Sequence, residues 1–231
     1  MLELENKIMF KKDDFKKNGD IKASSLMYVF QEIAAAHAEE LGLGFDKMIV
    51  QNYIWVLSKL RFKVLKKIIC GEEYVIKTYP RPRKVIIFYR DYYICDKYGK
   101  SVCVATSHWC IINYFTRKIE KNKIEFDGDY ISYPAFKDDI KKIKSKEMIC
   151  AGIHKVGIED MDKNNHVNNC RYGYMIDKVL GEKSCREYNI YFAKEAGMGD
   201  EILLYIEESE NSNIVAGRLR EGTELFKALV V

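Results

Sequence analysis

Residues of one helical face recur three and four positions apart over residues 26–37 of the chain. This spacing predicts an amphipathic helix, because side chains at these intervals share one face. Ser24 or Ser25 is the predicted N-cap of this helix, and Gly42 lies just past its end.

A second stretch with the same period covers residues 172–180. Asn168 or Asn169 is the predicted N-cap, since their side chains can accept hydrogen bonds from the first free backbone N–H groups. Gly181 follows as the predicted stop. The chain is therefore expected to contain two principal helices.

Each helix follows a short strand-like segment and precedes a series of segments rich in aromatic and β-branched residues. The predicted strands are 7–10, 54–64, 73–80, 85–95 and 101–112 in the first half, and 150–156, 185–192, 201–207, 213–219 and 223–229 in the second. This order predicts an α+β fold with two antiparallel sheets, each wrapped around a long central helix. We expect domains at 1–120 and 148–231, separated by a charged linker at 121–147.

The two halves can be aligned on the segments that precede each helix. Asn18-Gly19-Asp20-Ile21 matches Asn164-Asn165-His166-Val167, and segment 67–72 matches segment 195–200. His166 is therefore matched by Asp20, and Glu195 by Lys67. Only the C-terminal half keeps this ionisable pair, so we expect the N-terminal half to hold the substrate.

The segment 160–169 carries one imidazole, two carboxylates and four carboxamides. It ends where the second helix begins, close to the positive end of the peptide dipole. A base, groups that orient it and hydrogen-bond donors are thus concentrated in ten residues. This segment is a candidate reaction centre.

Composition narrows the classes of protein that need to be considered. With 48% apolar residues and three prolines the chain is expected to fold, and its net charge of +4 is compatible with an acidic partner. Seven scattered cysteines without a CxxC pair predict neither a disulfide framework nor a zinc ribbon. No stretch approaches the apolar length of a membrane span, so we expect a cytoplasmic protein. We expect neither a metal nor a cofactor.

Four features together resemble the acyl-acyl carrier protein (ACP) thioesterases, as in bacterial relatives of the plant fatty acyl-ACP enzymes. They are the loop Asp162-x-Asn164-x-His166-Val167-Asn168-Asn169, the spaced acid Glu195, the segment 53–56 followed by Arg61, and the segment 105–109 followed by Thr116-Arg117. The resemblance covers nearly the whole chain and implies a double hot-dog fold. It implies that Asp162, Asn164, His166 and Glu195 are the catalytic residues.

The chemistry implied by this resemblance is hydrolysis of a thioester. Glu195 and His166 would activate water, and Asn164 would orient water or contact the carbonyl. Asp162 would hold the loop and the orientation of the imidazole. Direct attack by Glu195 to form an anhydride stays open. Family members often carry a cysteine after the glutamate, but Ala196 excludes a cysteine route through this position.

Simpler roles are weighed beside these. Asp162 could be only a turn residue and Asn168 and Asn169 only helix caps, and for the two asparagines capping is favoured. Cys170 is expected to be a buried, inert thiol. The other three histidines are interpreted as structural: His37, His108 and His154.

The partner implied by the resemblance is an ACP that carries an acyl chain on a phosphopantetheine arm. Because such carriers are acidic, a basic docking face is expected, with candidates at Arg81, Arg83, Lys84, Lys141, Lys142, Lys144 and Lys146. Alternatives are an acyl-CoA thioesterase, a hot-dog hydratase or dehydratase, and a non-enzymatic acyl-binding module. Neither end of the chain has a helix-turn-helix, so we expect no nucleic-acid partner. Whether the protein forms a homodimer stays open.

Overall fold

The computed structural model describes residues 2–121, 124, 130, 133–140 and 142–231. The chain divides into two compact units, which are Met1–Phe10 with Val29–Asp139, and Lys11–Tyr28 with Ile140–Val231. Part of the predicted linker at 121–147, including the docking candidate Lys141, lies outside the described residues.

Helices and antiparallel strands form both units. The helices are α1 (Ala23–Glu40), α2 (Phe45–Val50) and α3 (Asn169–Leu180). The strands are β1 (Leu4–Met9), β2 (Tyr53–Val64), β3 (Glu73–Lys84), β4 (Ile87–Cys95), β5 (Ser101–Asn113), β6 (Ile149–Lys155), β7 (Glu187–Phe192), β8 (Glu201–Glu208), β9 (Asn213–Leu219) and β10 (Glu224–Val230). The spatial order is β1-β3-β4-β5-β2 in the first unit and β7-β10-β9-β8-β6 in the second. A principal helix and antiparallel strands in each half are as predicted, whereas α2 was not.

In the first unit, α1 packs its apolar face on the strands. The Phe30 ring lies 6.0 Å from that of Phe62 on β2 and 5.0 Å from that of Tyr92 on β4, measured between centroids. All three side chains are buried. Burial of such aromatic groups is a principal source of core stability.

The candidate docking residues Arg81, Arg83 and Lys84 belong to β3, and the turn that follows is formed by residues 85 and 86. Pro80 and Pro82 also lie in β3. Proline is tolerated here because β1 pairs with β3 only up to Thr78, so one side of β3 is unpaired beyond that point.

In the second unit, α3 occupies the corresponding position against its own strands. The Tyr172 ring lies 6.2 Å from the Phe192 ring on β7 and 5.0 Å from the Phe226 ring on β10. Asn168 caps the helix as predicted, because its side chain accepts a hydrogen bond from the Cys170 N–H at 2.9 Å. Gly181 ends it with a φ of 55°, a conformation that glycine adopts readily.

The N-terminus of α1 differs from the sequence prediction. The helix begins at Ala23, and its cap is the carboxylate of Asp177, which lies on α3. This carboxylate accepts hydrogen bonds from the Ala23 N–H at 3.0 Å and from the Ser24 N–H at 2.9 Å. Because the Ser24 hydroxyl also donates to Asp177, at 2.7 Å, Ser24 is a donor here and not the capping acceptor. The predicted serine cap is therefore wrong.

The same region explains why residues Lys11–Tyr28 belong to the second unit, although they lie within the predicted first domain 1–120. The Lys16 ammonium donates to the Lys183 carbonyl at 3.0 Å, and the Asn18 side chain donates to the Glu182 carbonyl at 2.8 Å. Together with the Asp177 cap, these bonds join residues Lys11–Tyr28 to the second unit. No helix in the described part of the chain is both long and apolar enough to span a bilayer.

Candidate active site

The Asp162 carboxylate shapes the loop that precedes α3. It accepts hydrogen bonds from the backbone N–H groups of Asn164 at 2.7 Å and His166 at 3.1 Å. A weaker bond comes from the Asn164 side-chain amide at 3.4 Å. The expectation that Asp162 holds the loop agrees with this geometry. The bond to His166 is made to its backbone, and a role of Asp162 in the orientation of the imidazole stays a prediction.

His166 and Glu195 come together although they are far apart in the sequence. Imidazole Nε2 lies 3.7 Å from a Glu195 carboxylate oxygen, and the two side chains are 32% and 39% exposed. The loop is joined to the segment of Glu195 by a hydrogen bond of 2.9 Å from the Val167 N–H to the Ala196 carbonyl. The fold thus places the predicted pair side by side and within reach of solvent.

Two further polar atoms of the loop are buried and lack a hydrogen-bond partner among the residues that the structure describes. They are the side-chain oxygen of Asn164 and the Nδ1 atom of the His166 ring. Buried polar groups are normally bonded, and exceptions call for an explanation. A site that binds a substrate or a reacting water is one such explanation.

Asp160 is a contributor that the sequence interpretation missed. Its carboxylate is fully buried and accepts hydrogen bonds from His154 Nε2 at 2.8 Å, the Gly157 N–H at 2.9 Å and Arg171 Nε at 2.6 Å. Its carbonyl accepts from the Asn168 N–H at 2.8 Å, which closes the loop. Burial acts to raise the pKa of Asp160, but the hydrogen bonds from Gly157, His154 and Arg171 outweigh it and the pKa is lowered.

This carboxylate is the hydrogen-bond partner of His154. The sequence signal was weak, because only the fold brings His154 of β6 and Arg171 of α3 to the same acid. The contacts of Asp160 with His154 and Arg171 lie beside the loop and contribute to its shape.

The other two histidines lie in the first unit. His37 Nδ1 is 2.8 Å from an Arg90 guanidinium nitrogen, and both residues are buried. His108 lies 3.5 Å from Asp139, and burial lowers its pKa to about 4. His108 is therefore neutral at pH 7, and a structural role for both stays the prediction.

The loop of the first half repeats the backbone bonds of the candidate site. The equivalent N–H to C=O bonds are Lys16 to Asp20 and Asp162 to His166, both at 2.8 Å, and Lys22 to Asp14 at 2.9 Å and Asn168 to Asp160 at 2.8 Å. Asp20 thus occupies the backbone position of His166, as the alignment of the two halves predicts.

Comparison with protein families is consistent with this two-part architecture. Residues 3–130 match the acyl-ACP thioesterase N-terminal domain, and residues 143–224 match the acyl-ACP thioesterase C-terminal domain. The chain belongs to the acyl-ACP thioesterase family. The resemblance inferred from the motifs is confirmed.

Curated relatives in this family include two plant proteins. An acyl-[acyl-carrier-protein] hydrolase of Cuphea viscosissima, a chloroplast protein, is 29% identical over 164 residues, covering 64% of this chain and 40% of that protein. A chloroplast palmitoyl-ACP thioesterase of Arabidopsis thaliana is 25% identical over 194 residues, covering 75% of this chain and 47% of that protein. The chain therefore spans about half the length of the curated relatives it matches.

Solved structures share the fold over the whole chain. An acyl-ACP thioesterase of Bacteroides thetaiotaomicron matches with a TM-score of 0.90 at 23% identity, covering 99% of this chain and 97% of that one. A 12:0-ACP thioesterase of Umbellularia californica matches with a TM-score of 0.87 at 19% identity, covering 100% and 96%. The double hot-dog fold expected for this family is confirmed.

Proposed function

We propose that this protein hydrolyses the thioester of fatty acyl chains carried on ACP and releases free fatty acid. Membership of the acyl-ACP thioesterase family supports the reaction class. The observation that carries the proposal is the contact of 3.7 Å between the partly exposed side chains of His166 and Glu195.

The geometry of the pair suits activation of water. A separation of 3.7 Å is too long for a direct hydrogen bond, but one oxygen atom can lie about 2.8 Å from both groups at once. The pair accepts a proton from this water while its oxygen adds to the thioester carbonyl carbon. Collapse of the tetrahedral intermediate breaks the C–S bond, and the sulfur leaves as a thiol after it takes up a proton.

The remaining loop residues have supporting roles in this proposal. The side-chain oxygen of Asn164 accepts a hydrogen bond from the reacting water, and Asp162 keeps the backbone of Asn164 and His166 in place. Helix α3 begins at Asn169, three residues after His166, so the positive end of its dipole favours the developing oxyanion.

A covalent route in which Glu195 attacks the carbonyl is the alternative mechanism. It forms a mixed anhydride with the acyl group and expels the thiol before water enters. Hydroxylamine added during turnover traps an anhydride as a hydroxamate on Glu195 or on the acyl chain. Activation of water predicts no hydroxamate above the level found with His166→Ala.

The carrier is proposed to be ACP, with the acyl tail held in the N-terminal half. Of the candidate docking residues, Arg81 lies 3.5 Å from Asp91, and the Arg83 guanidinium donates to the Val85 carbonyl at 2.9 Å. Coenzyme A thioesters are the alternative carrier. Rates with one acyl group on each carrier decide between them, and preference for the coenzyme A form contradicts the proposal.

A hot-dog dehydratase would need a reactive acid on its central helix. The contacts of Asp177 on α3 disfavour this role. This carboxylate binds the backbone of Ala23 and Ser24 and so is engaged as a helix cap. An assay for dehydration of 3-hydroxyacyl chains on their carrier tests this alternative directly. The other alternative, a non-enzymatic acyl-binding module, would release no thiol from any carrier.

The decisive experiment measures thiol release from acyl-ACP by site variants. We expect His166→Ala and Glu195→Gln each to reduce turnover by at least ~100-fold, the usual scale for loss of a general base. Glu210→Gln, which removes one exposed negative charge from the same unit, serves as the matched control and keeps full activity. Cys170→Ser also stays active. Near wild-type turnover in Glu195→Gln would show that the pair is assigned wrongly.

A further inference from the structure

Arg90 of β4 is a buried cation of the first unit that the proposed reaction does not use. It is 8% exposed, and its side chain lies on the face of the sheet that α1 covers. A guanidinium group keeps its positive charge in proteins. Because burial of a charge is costly unless an opposite charge and hydrogen bonds compensate it, this side chain calls for an explanation.

One nitrogen of the Arg90 guanidinium group makes all of its recorded hydrogen bonds. Nη1 lies 2.8 Å from His37 Nδ1 and donates to the Thr78 hydroxyl at 3.2 Å. Since a guanidinium group can only donate, His37 Nδ1 is the acceptor and the imidazole is neutral. These two bonds hold Arg90 in place, but neither acceptor carries a charge that compensates the cation.

The edge formed by Nε and Nη2, here called the open edge, has no acceptor among the residues that the structure describes. The two nitrogens are not among the fully buried polar atoms that lack a partner in these residues, so the exposed fraction of Arg90 includes the open edge. The N–H groups of Nε and Nη2 lie parallel and match the two oxygen atoms of a carboxylate.

No acid in the described part of the chain forms an ion pair with Arg90. Asp91, the next residue, points to the opposite face of the sheet, where it accepts from the Ala135 N–H at 2.9 Å. Pro80 and Ser107 are paired with Arg90 on the adjacent strands, and both are uncharged. The structure thus presents a buried cation with a carboxylate-shaped open edge.

We propose that Arg90 binds the carboxylate group of a fatty acid through its open edge, inside the first unit. Phe88 and Tyr92 flank Arg90 on the same face of β4, and both are buried. An anion joined to an apolar chain fits these surroundings better than an inorganic ion, whose desolvation is costly. The choice of a fatty acid rests on the proposed function, which releases one, whereas the anion site itself does not.

Calorimetric titration of the whole protein with dodecanoate tests the proposal. The reference ligand is 1-dodecanol, which has the same chain without the charge. We expect Arg90→Met to weaken dodecanoate binding at least ~30-fold, the scale for truncation of one partner of a buried charge pair, and to change 1-dodecanol binding by less than about twofold. Arg90→Lys keeps the charge but lacks the open edge, so its affinity for dodecanoate should lie between the two.

The matched control is Lys100→Met, which removes an exposed positive charge from the same unit and introduces the same side chain. It should keep wild-type affinity for both ligands. Equal affinity for dodecanoate in wild type and Arg90→Met, or equal binding of dodecanoate and 1-dodecanol by the wild type, would each overturn the inference.

NMR of the arginine Nε–H groups in the wild-type protein provides a readout that does not depend on the folding of Arg90→Met. One such signal should shift when dodecanoate is added and stay in place with 1-dodecanol, and it should be missing from the spectrum of Arg90→Lys. If no arginine Nε–H signal responds to dodecanoate, the inference is wrong. Failure to hydrolyse acyl-ACP would instead contradict the proposed function and leave this binding measurable, so the two failures are distinguishable.

Discussion

Replacement of Asp160 by asparagine is expected to destabilise the protein strongly without removing any proposed reacting group. One carboxylate oxygen accepts from His154 and Gly157, and the other accepts from Arg171. An asparagine has only one acceptor oxygen, so its NH₂ group must face donors on one of these two sides. The substitution therefore removes charge-assisted bonds and brings donors together at a fully buried position.

The size of the effect follows from these contacts. Breaking a buried ion pair by changing one partner costs about 3–5 kcal/mol. The Arg171 side chain is 29% exposed and can be partly rehydrated, which reduces the expected loss to about 2–4 kcal/mol. For a chain of this length, such a loss lowers the unfolding midpoint by roughly 5–15 °C.

Calorimetry or circular dichroism at pH 7 measures this shift, with the exposed-charge variant Glu210→Gln as control. Because the folded-state pKa of Asp160 is lowered, its stabilising contribution is fully present above the unfolded pKa of about 4 and is lost as pH falls through the folded-state pKa. The difference between wild type and Asp160→Asn should therefore narrow below about pH 4. A midpoint at pH 7 within about 2 °C of wild type would refute the reasoning.

Three further predictions concern packing, capping and titration. In Gly173→Ala the new Cβ would lie 2.6 Å from the Met27 sulfur and 3.0 Å from Ser24 Cα, so urea unfolding should show a loss of about 1–3 kcal/mol. Asp177→Ala removes the cap of α1 and should cost about 1–2 kcal/mol in the same assay. Since burial lowers the pKa of His108 to about 4, its imidazole should titrate there by NMR. Because this folded-state pKa is below the unfolded value, His108 should reduce stability as pH falls from about 7 to 4.

Local signals in the sequence located α3 well but α1 less so. The cap and the stop of α3 are Asn168 and Gly181, which adjoin the helix in the chain. The cap of α1 is Asp177, which is remote in sequence, so no rule based on neighbouring residues could identify it. The assignment of residues 11–28 to the second unit was missed for the same reason.

In the candidate site, too, the sequence predicted some contacts and missed others. His166 and Glu195 were paired because a family motif spans the distance between them, and the structure places them 3.7 Å apart. Asp160 carries no such motif. Its contacts with His154 and Arg171 exist only once the chain has folded.

The two equivalent loops have a consequence for how such a protein can diverge after internal duplication. Main-chain groups make the bonds that the two loops share, so these bonds do not depend on which side chain stands at the position of His166. One copy can exchange its imidazole for an acid, as at Asp20, without collapse of the surrounding structure. A reactive side chain at this position of the loop can thus be lost at little structural cost.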